Sequence, residues 1–188
     1  APLIKELLKD KKNFTTKVCI TAQHREMLDQ ALDLFKIIPD YDLNIMKAGQ
    51  NLYDITSEIL IKIKPVLDEY IPDIVLVHGD TATSFAVSLA SYYKKIKIGH
   101  VEAGLRTHNL YSPWPEEGNR RLTSVLSDFH FAPTIKSREN LINEGIDESK
   151  ITVTGNTVID ALHDVVYQID TNDKLKLKVE NRMAKLGL

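Results

Sequence analysis

Short apolar runs of four to six residues alternate along this chain with longer stretches of helical period, the mark of βαβ units around a parallel sheet. The pattern predicts strands over 18–21, 43–46, 74–78, 96–101, 129–132 and 151–154. Helices fill the gaps, over 25–35, 52–68, 83–93, 116–126, 137–144 and 158–167. The clearest is 52–68, where Leu52, Ile55, Ile59, Ile63, Val66 and Leu67 share one face while Glu58, Lys62 and Lys64 leave it. The expected fold class is therefore α/β, a Rossmann-like parallel sheet with flanking helices.

Other classes are excluded by composition. Lys+Arg 24 against Asp+Glu 26 gives a net charge of −2 without blocks of like charge, a poor basis for binding nucleic acid or an acidic membrane. The apolar run Ile74-Val75-Leu76-Val77 falls far short of the roughly 18 residues of a membrane span. A single cysteine, Cys19, permits no intrachain disulfide and fits a reducing cytoplasm. The opening residues 2–8 read as helix, so an upstream strand of the first crossover is expected. One Rossmann-like domain is expected over 1–165 and a connector toward a second domain over 166–188, with a last helix at 174–185.

In open α/β sheets ligands bind beyond the carboxyl ends of the strands. Three acids fall there: Asp80 in His78-Gly79-Asp80-Thr81, Glu102 in His100-Val101-Glu102-Ala103-Gly104, and Glu116 in Pro113-Trp114-Pro115-Glu116-Glu117. Clustered carboxylates cannot all ionise freely, so such a group can hold a proton for acid–base chemistry. Each acid also has a plainer reading. Asp80 suits a helix N-cap, Glu116 suits the dipole of a first helical turn, and only Glu102 sits poorly in a strand. His78 with Asp80 and His100 with Glu102 stand at strand spacing, which leaves a metal-dependent hydrolase open. Gly99 to Gly104 is not followed by Lys, and no G-x-G-x-x-G occurs, so neither a P-loop nor the usual dinucleotide fold is supported. Phosphate could instead meet Arg106, Arg120 or Arg121, while Tyr111 and Trp114 are expected to pack the loop before Glu116.

Taken together, Thr21-Ala22-Gln23-His24-Arg25, His78-Gly79-Asp80-Thr81, the run from Gly99 to Thr107, Pro113-Trp114-Pro115-Glu116-Glu117 with Asn119-Arg120, and Thr154-Gly155-Asn156-Thr157 resemble the non-hydrolysing UDP-N-acetylglucosamine 2-epimerases of bacteria. The resemblance implies the first half of a GT-B-type two-domain enzyme, lacking the family's first strand and inactive alone. It implies inversion at C2 of UDP-N-acetylglucosamine to UDP-N-acetylmannosamine for cell-surface polysaccharides, with neither metal nor redox cofactor. Asp80, Glu102 and Glu116 would be its essential acids, with Asp80, Glu102, Arg106, Gln23 and His24 against the UDP-sugar and a homodimer as the assembly. Gln23 and His24 match a regulatory UDP-N-acetylglucosamine site, from whose pattern Glu26 and Gly49 depart. The alternatives are a 2-epimerase of a related UDP-2-acetamido sugar and a non-catalytic binding or dimerising module.

Overall fold

The computed structural model describes residues 1–22, 25–185 and 187. In chain order the elements are α1 (Pro2–Lys9), β1 (Cys19–Ile20), α2 (Arg25–Phe35), β2 (Tyr41–Asp42), α3 (Leu52–Tyr70), β3 (Ile74–His78), α4 (Ala82–Tyr93), β4 (Lys97–Val101), α5 (Glu116–Leu126), β5 (Phe129–Ala132), α6 (Ile135–Asn143), β6 (Ile151–Val153), α7 (Thr157–Thr171) and α8 (Asp173–Lys185). All strand pairs are parallel, as alternating βα order requires, so the α/β class read from the sequence holds.

The single expected sheet is instead two: β1 pairs with β2, and β3-β4-β5-β6 form a four-stranded ladder. What joins them is side-chain packing. Leu43 and Ile45 bury against Ile59, Ile63 and Leu67 of α3 and Ala86 and Ala90 of α4. Thr21 and Thr83 hydroxyls meet at 3.2 Å. The strand predicted at 43–46 does not form there; β2 is the two residues just before it, Tyr41–Asp42. Leu43 and Ile45 still donate to Ile20 and Thr21 carbonyls, but Asn44 lies at φ 43°, which breaks regular strand geometry.

The helix predicted at 52–68 runs to Tyr70 and turns Ile59, Ile63 and Leu67 inward, as its apolar spacing demands. Asn51 starts it with a capping box: its side chain accepts from Tyr53 and Asp54, and Asp54 accepts from the Asn51 amide. A second core gathers Val18, Ile20, Phe35 and Ile37 with Ala161 and Val165 of α7, and a third gathers Ala103, Ala132, Leu141 and Ile151. The expected division at 165/166 falls inside α7, which continues to Thr171. Among the described residues no helix is long and apolar enough to cross a membrane.

Candidate functional site

The site begins at the carboxyl end of β3. There His78-Gly79-Asp80 turns into α4 through Gly79, at φ +71°. The cap of α4 is Thr81, whose side chain accepts from the Ser84 amide at 3.2 Å. The capping role open to Asp80 in the sequence is thus filled by its neighbour. The Asp80 carboxylate is instead held by Arg120, whose Nη2 donates to its Oδ2, and Asn119 Nδ2 donates to the Asp80 carbonyl at 3.0 Å.

One strand over, Glu102 follows β4 directly with φ 66°. A left-handed glutamate costs roughly 1–2 kcal/mol, and such strain gathers at functional sites. Here it turns the side chain back across the sheet edge. Glu102 Oε2 lies 3.4 Å from where a Cβ on Gly79 would stand and 4.0 Å from His78 Nδ1. The third acid comes from α5. Glu116 opens that helix three and four residues before Asn119 and Arg120, the pair that reaches Asp80, so the three residues share one helix face. Asp80 and Glu102 thus follow neighbouring strands, and Glu116 opens the helix whose Asn119 and Arg120 reach Asp80.

The structure also shows residues that the sequence did not single out. Glu117 has no solvent exposure; it accepts from the Thr107 and His108 amides at 3.1 and 3.2 Å and from Arg120 Nη1 at 3.2 Å. Its spacing of three from Arg120 was a usable signal, but a buried helical carboxylate looks no different in sequence from a solvated one. Arg106 has other partners than the anion the resemblance implies. Its side chain is buried, forks onto Glu144 through Nε and Nη2 at 2.8 Å each, and donates to Ser124 at 3.1 Å. That guanidinium holds the Glu144 carboxyl below the usual range. Tyr111 and Trp114, expected to pack their loop, are 81% and 62% exposed. The loop is instead fastened by its backbone to Glu117 and by Thr107 Oγ1 donating to the Ser112 carbonyl at 2.5 Å. Gln23 and His24 lie outside the described residues.

The metal reading of His78, Asp80, His100 and Glu102 fails on register. Val77 pairs with His100 and His78 with Val101, so the two histidines project from opposite faces of the sheet. His100 is fully buried and its Nε2 meets the Gly79 carbonyl at 2.8 Å. Burial pushes His100 down to about 4, and does the same to His130 beside it on β5. An unfolded histidine titrates near 6.5, so between pH 6.5 and 4 the unfolded chain binds more protons. Stability is complete above that window and is lost as pH falls through it, by up to about 3 kcal/mol per histidine. The thermal midpoint is expected to drop markedly from pH 7 to pH 4.5; a midpoint constant over that range would contradict neutral buried imidazoles.

Known proteins share this sequence pattern and fold. The family model for UDP-N-acetylglucosamine 2-epimerase matches residues 6–186. The UDP-N-acetylglucosamine 2-epimerase of Escherichia coli K12 is 60% identical over 176 residues, covering 94% of this chain and 46% of that protein. The crystal structure of the Neisseria meningitidis UDP-GlcNAc 2-epimerase bound to UDP-GlcNAc superposes with a TM-score of 0.91 at 58% identity, over 97% of this chain and 50% of that one. The Methanocaldococcus jannaschii enzyme in complex with UDP-GlcNAc and UDP gives 0.87 at 36% identity, over 96% and 49% of the two chains. This chain thus spans about half the length of the relatives it matches. With a family match over nearly all its residues and the same fold, the chain belongs to the UDP-N-acetylglucosamine 2-epimerase family.

Proposed function

We propose that this chain supplies one wall of the cleft of an enzyme that inverts C2 of UDP-N-acetylglucosamine, giving UDP-N-acetylmannosamine. The observation that supports the reading is that Asp80 and Glu102 follow neighbouring parallel strands while Glu116 starts the helix whose Arg120 holds Asp80. The C2 proton is not next to a carbonyl, so enolisation is closed to it. A carboxylate can instead take that proton as the C1–O bond to UDP breaks and a C1=C2 glycal forms. A carboxylic acid on the other face then returns a proton to C2 while UDP re-adds at C1. The chemistry needs one base and one acid on opposite faces of the ring, and these three acids are the groups proposed for the two roles. Clustered acids also favour the positive charge that develops at C1 as UDP departs.

Two relatives that superpose on this chain were crystallised with UDP-GlcNAc, which supports a nucleotide-sugar over other ligands. The homodimer and the cytoplasmic setting belong to the same reading and rest on the family resemblance. So does the connector reading of residues 166–188.

The test uses a chimera in which this chain replaces the matched stretch of the Escherichia coli relative. Incubated with a panel of UDP-sugars and followed by NMR of the anomeric proton, the chimera is expected to interconvert UDP-N-acetylglucosamine and UDP-N-acetylmannosamine. Turnover of only another UDP-2-acetamido sugar, or of none, would overturn the reading. The 188 residues alone are expected to show no epimerisation, because a cleft with one wall cannot enclose the sugar.

A further inference from the structure

Glu117 is a carboxylate without solvent exposure on the first turn of α5. Burying a charge is costly unless it is paired and hydrogen-bonded, and a well-packed apolar residue often serves stability as well. Its three bonds therefore call for another explanation, and their destinations provide one. Oε2 takes the Thr107 amide and Arg120 Nη1, while Oε1 takes the His108 amide. The same guanidinium, through Nη2, holds Asp80. One buried carboxylate thus grips both the arginine that fixes Asp80 and the base of the loop carrying exposed Tyr111 and Trp114. Arg106, whose side chain is also buried, is committed to Glu144 and does not share these partners.

We propose that Glu117 is a positioning residue, setting Asp80 through Arg120 and the loop 107–115 through two backbone amides, without itself touching the sugar nucleotide. The proposal rests on the epimerase reading above. Asp80, Glu102 and Glu116 are placed by separate segments, and a shift of about 1 Å in one of them costs roughly a hundredfold in rate.

The experiment is made in the intact chimera. Glu117→Gln keeps the size but has one acceptor oxygen where two are needed. It is expected to lower kcat between about tenfold and a hundredfold, with KM for UDP-N-acetylglucosamine changed less than about threefold. Residues acting as one unit are not additive, so in an Arg120→Lys background the same substitution is expected to cost under about threefold. Losses that simply multiply would overturn the route through Arg120. Independently of turnover, chymotrypsin is expected to cut after Tyr111 at least about fivefold faster in Glu117→Gln; an unchanged rate would overturn the anchoring of the loop. Should the unsubstituted chimera fail to epimerise, the epimerase reading falls, while the digestion still decides whether Glu117 holds the loop. If Glu117→Gln does not fold, Glu117→Asp keeps the charge and both oxygens one methylene further back. A kcat at least about fivefold lower supports positioning, and an unaltered kcat overturns it.

Discussion

Asp80→Asn, Glu102→Gln and Glu116→Gln, each made in the chimera, are expected to lower the rate of epimerisation by at least about a hundredfold, about 2.7 kcal/mol of transition-state stabilisation. Each change is nearly isosteric and removes the charge together with the capacity to carry or accept a proton. The three need not fail alike. Asp80 is tied to Arg120, so Asp80→Asn also leaves a partly buried guanidinium with Glu117 as its remaining anion. Among the described residues Glu102 pairs with no lysine or arginine and lies near His78, so Glu102→Gln should affect chemistry with little change in folding. Steady-state kcat and kcat/KM, measured beside the thermal midpoint, separate these contributions. Near-normal turnover in any one variant would remove that residue from the mechanism.

The second large effect concerns the fold beneath these acids. Gly104 closes the turn after Glu102 at φ +87°, and a Cβ there would stand 2.2 Å from the Ser137 carbonyl oxygen and 2.8 Å from its carbon. Both are backbone atoms at the start of α6, which cannot swing aside as a side chain would. Asn140 of the same helix donates to the Gly104 carbonyl at 2.9 Å, which locks the contact further. Overpacking costs about 1–3 kcal/mol and a left-handed alanine about 1–2 more, so Gly104→Ala is expected to lose roughly 3 kcal/mol. In a chain of this size that lowers the thermal midpoint by about 10 °C. Gly118, in α5 with nothing within 4 Å of its would-be Cβ, is the control. Gly118→Ala is expected to leave the midpoint unchanged or raise it slightly, since alanine is the better helix former. A tolerated Gly104→Ala would contradict the close approach of this turn to α6.

Much of this architecture was legible because local signals agreed. The helices at 25–35 and 116–126 and the strands at 74–78 and 129–132 have the limits that their apolar spacing predicts. Where prediction and structure part, a nonlocal or conformational fact decides. The strand at 43–46 is interrupted by the positive φ of Asn44, which no apolar pattern records. The end of α7 lies beyond the predicted limit at 167, since Gln168, Ile169, Asp170 and Thr171 propagate a helix already nucleated. The break between the two sheets depends on which strands pair, and pairing is not written in any one strand.

The site divides in the same way. Asp80, Glu102 and Glu116 could be put forward by asking which acids follow strands or open helices in an α/β fold. Arg120 was open to a phosphate role, but its ties to Asp80 and to buried Glu117 stayed hidden, because a charged residue on an amphipathic helix normally faces water. Arg106 illustrates the converse. Its place beside the acids suggested an anion, and only the side-chain geometry reveals Glu144 as its partner.

The most direct measurement is the fate of the C2 proton. If these carboxylates remove it on one face and deliver another on the opposite face, the chimera working in D2O must place deuterium at C2 of UDP-N-acetylmannosamine in every turnover. NMR of the product is expected to show C2 fully deuterated at early times, with incorporation falling together with rate in the Asp80, Glu102 and Glu116 variants. Product that retains its original C2 proton would contradict acid–base inversion by these three residues.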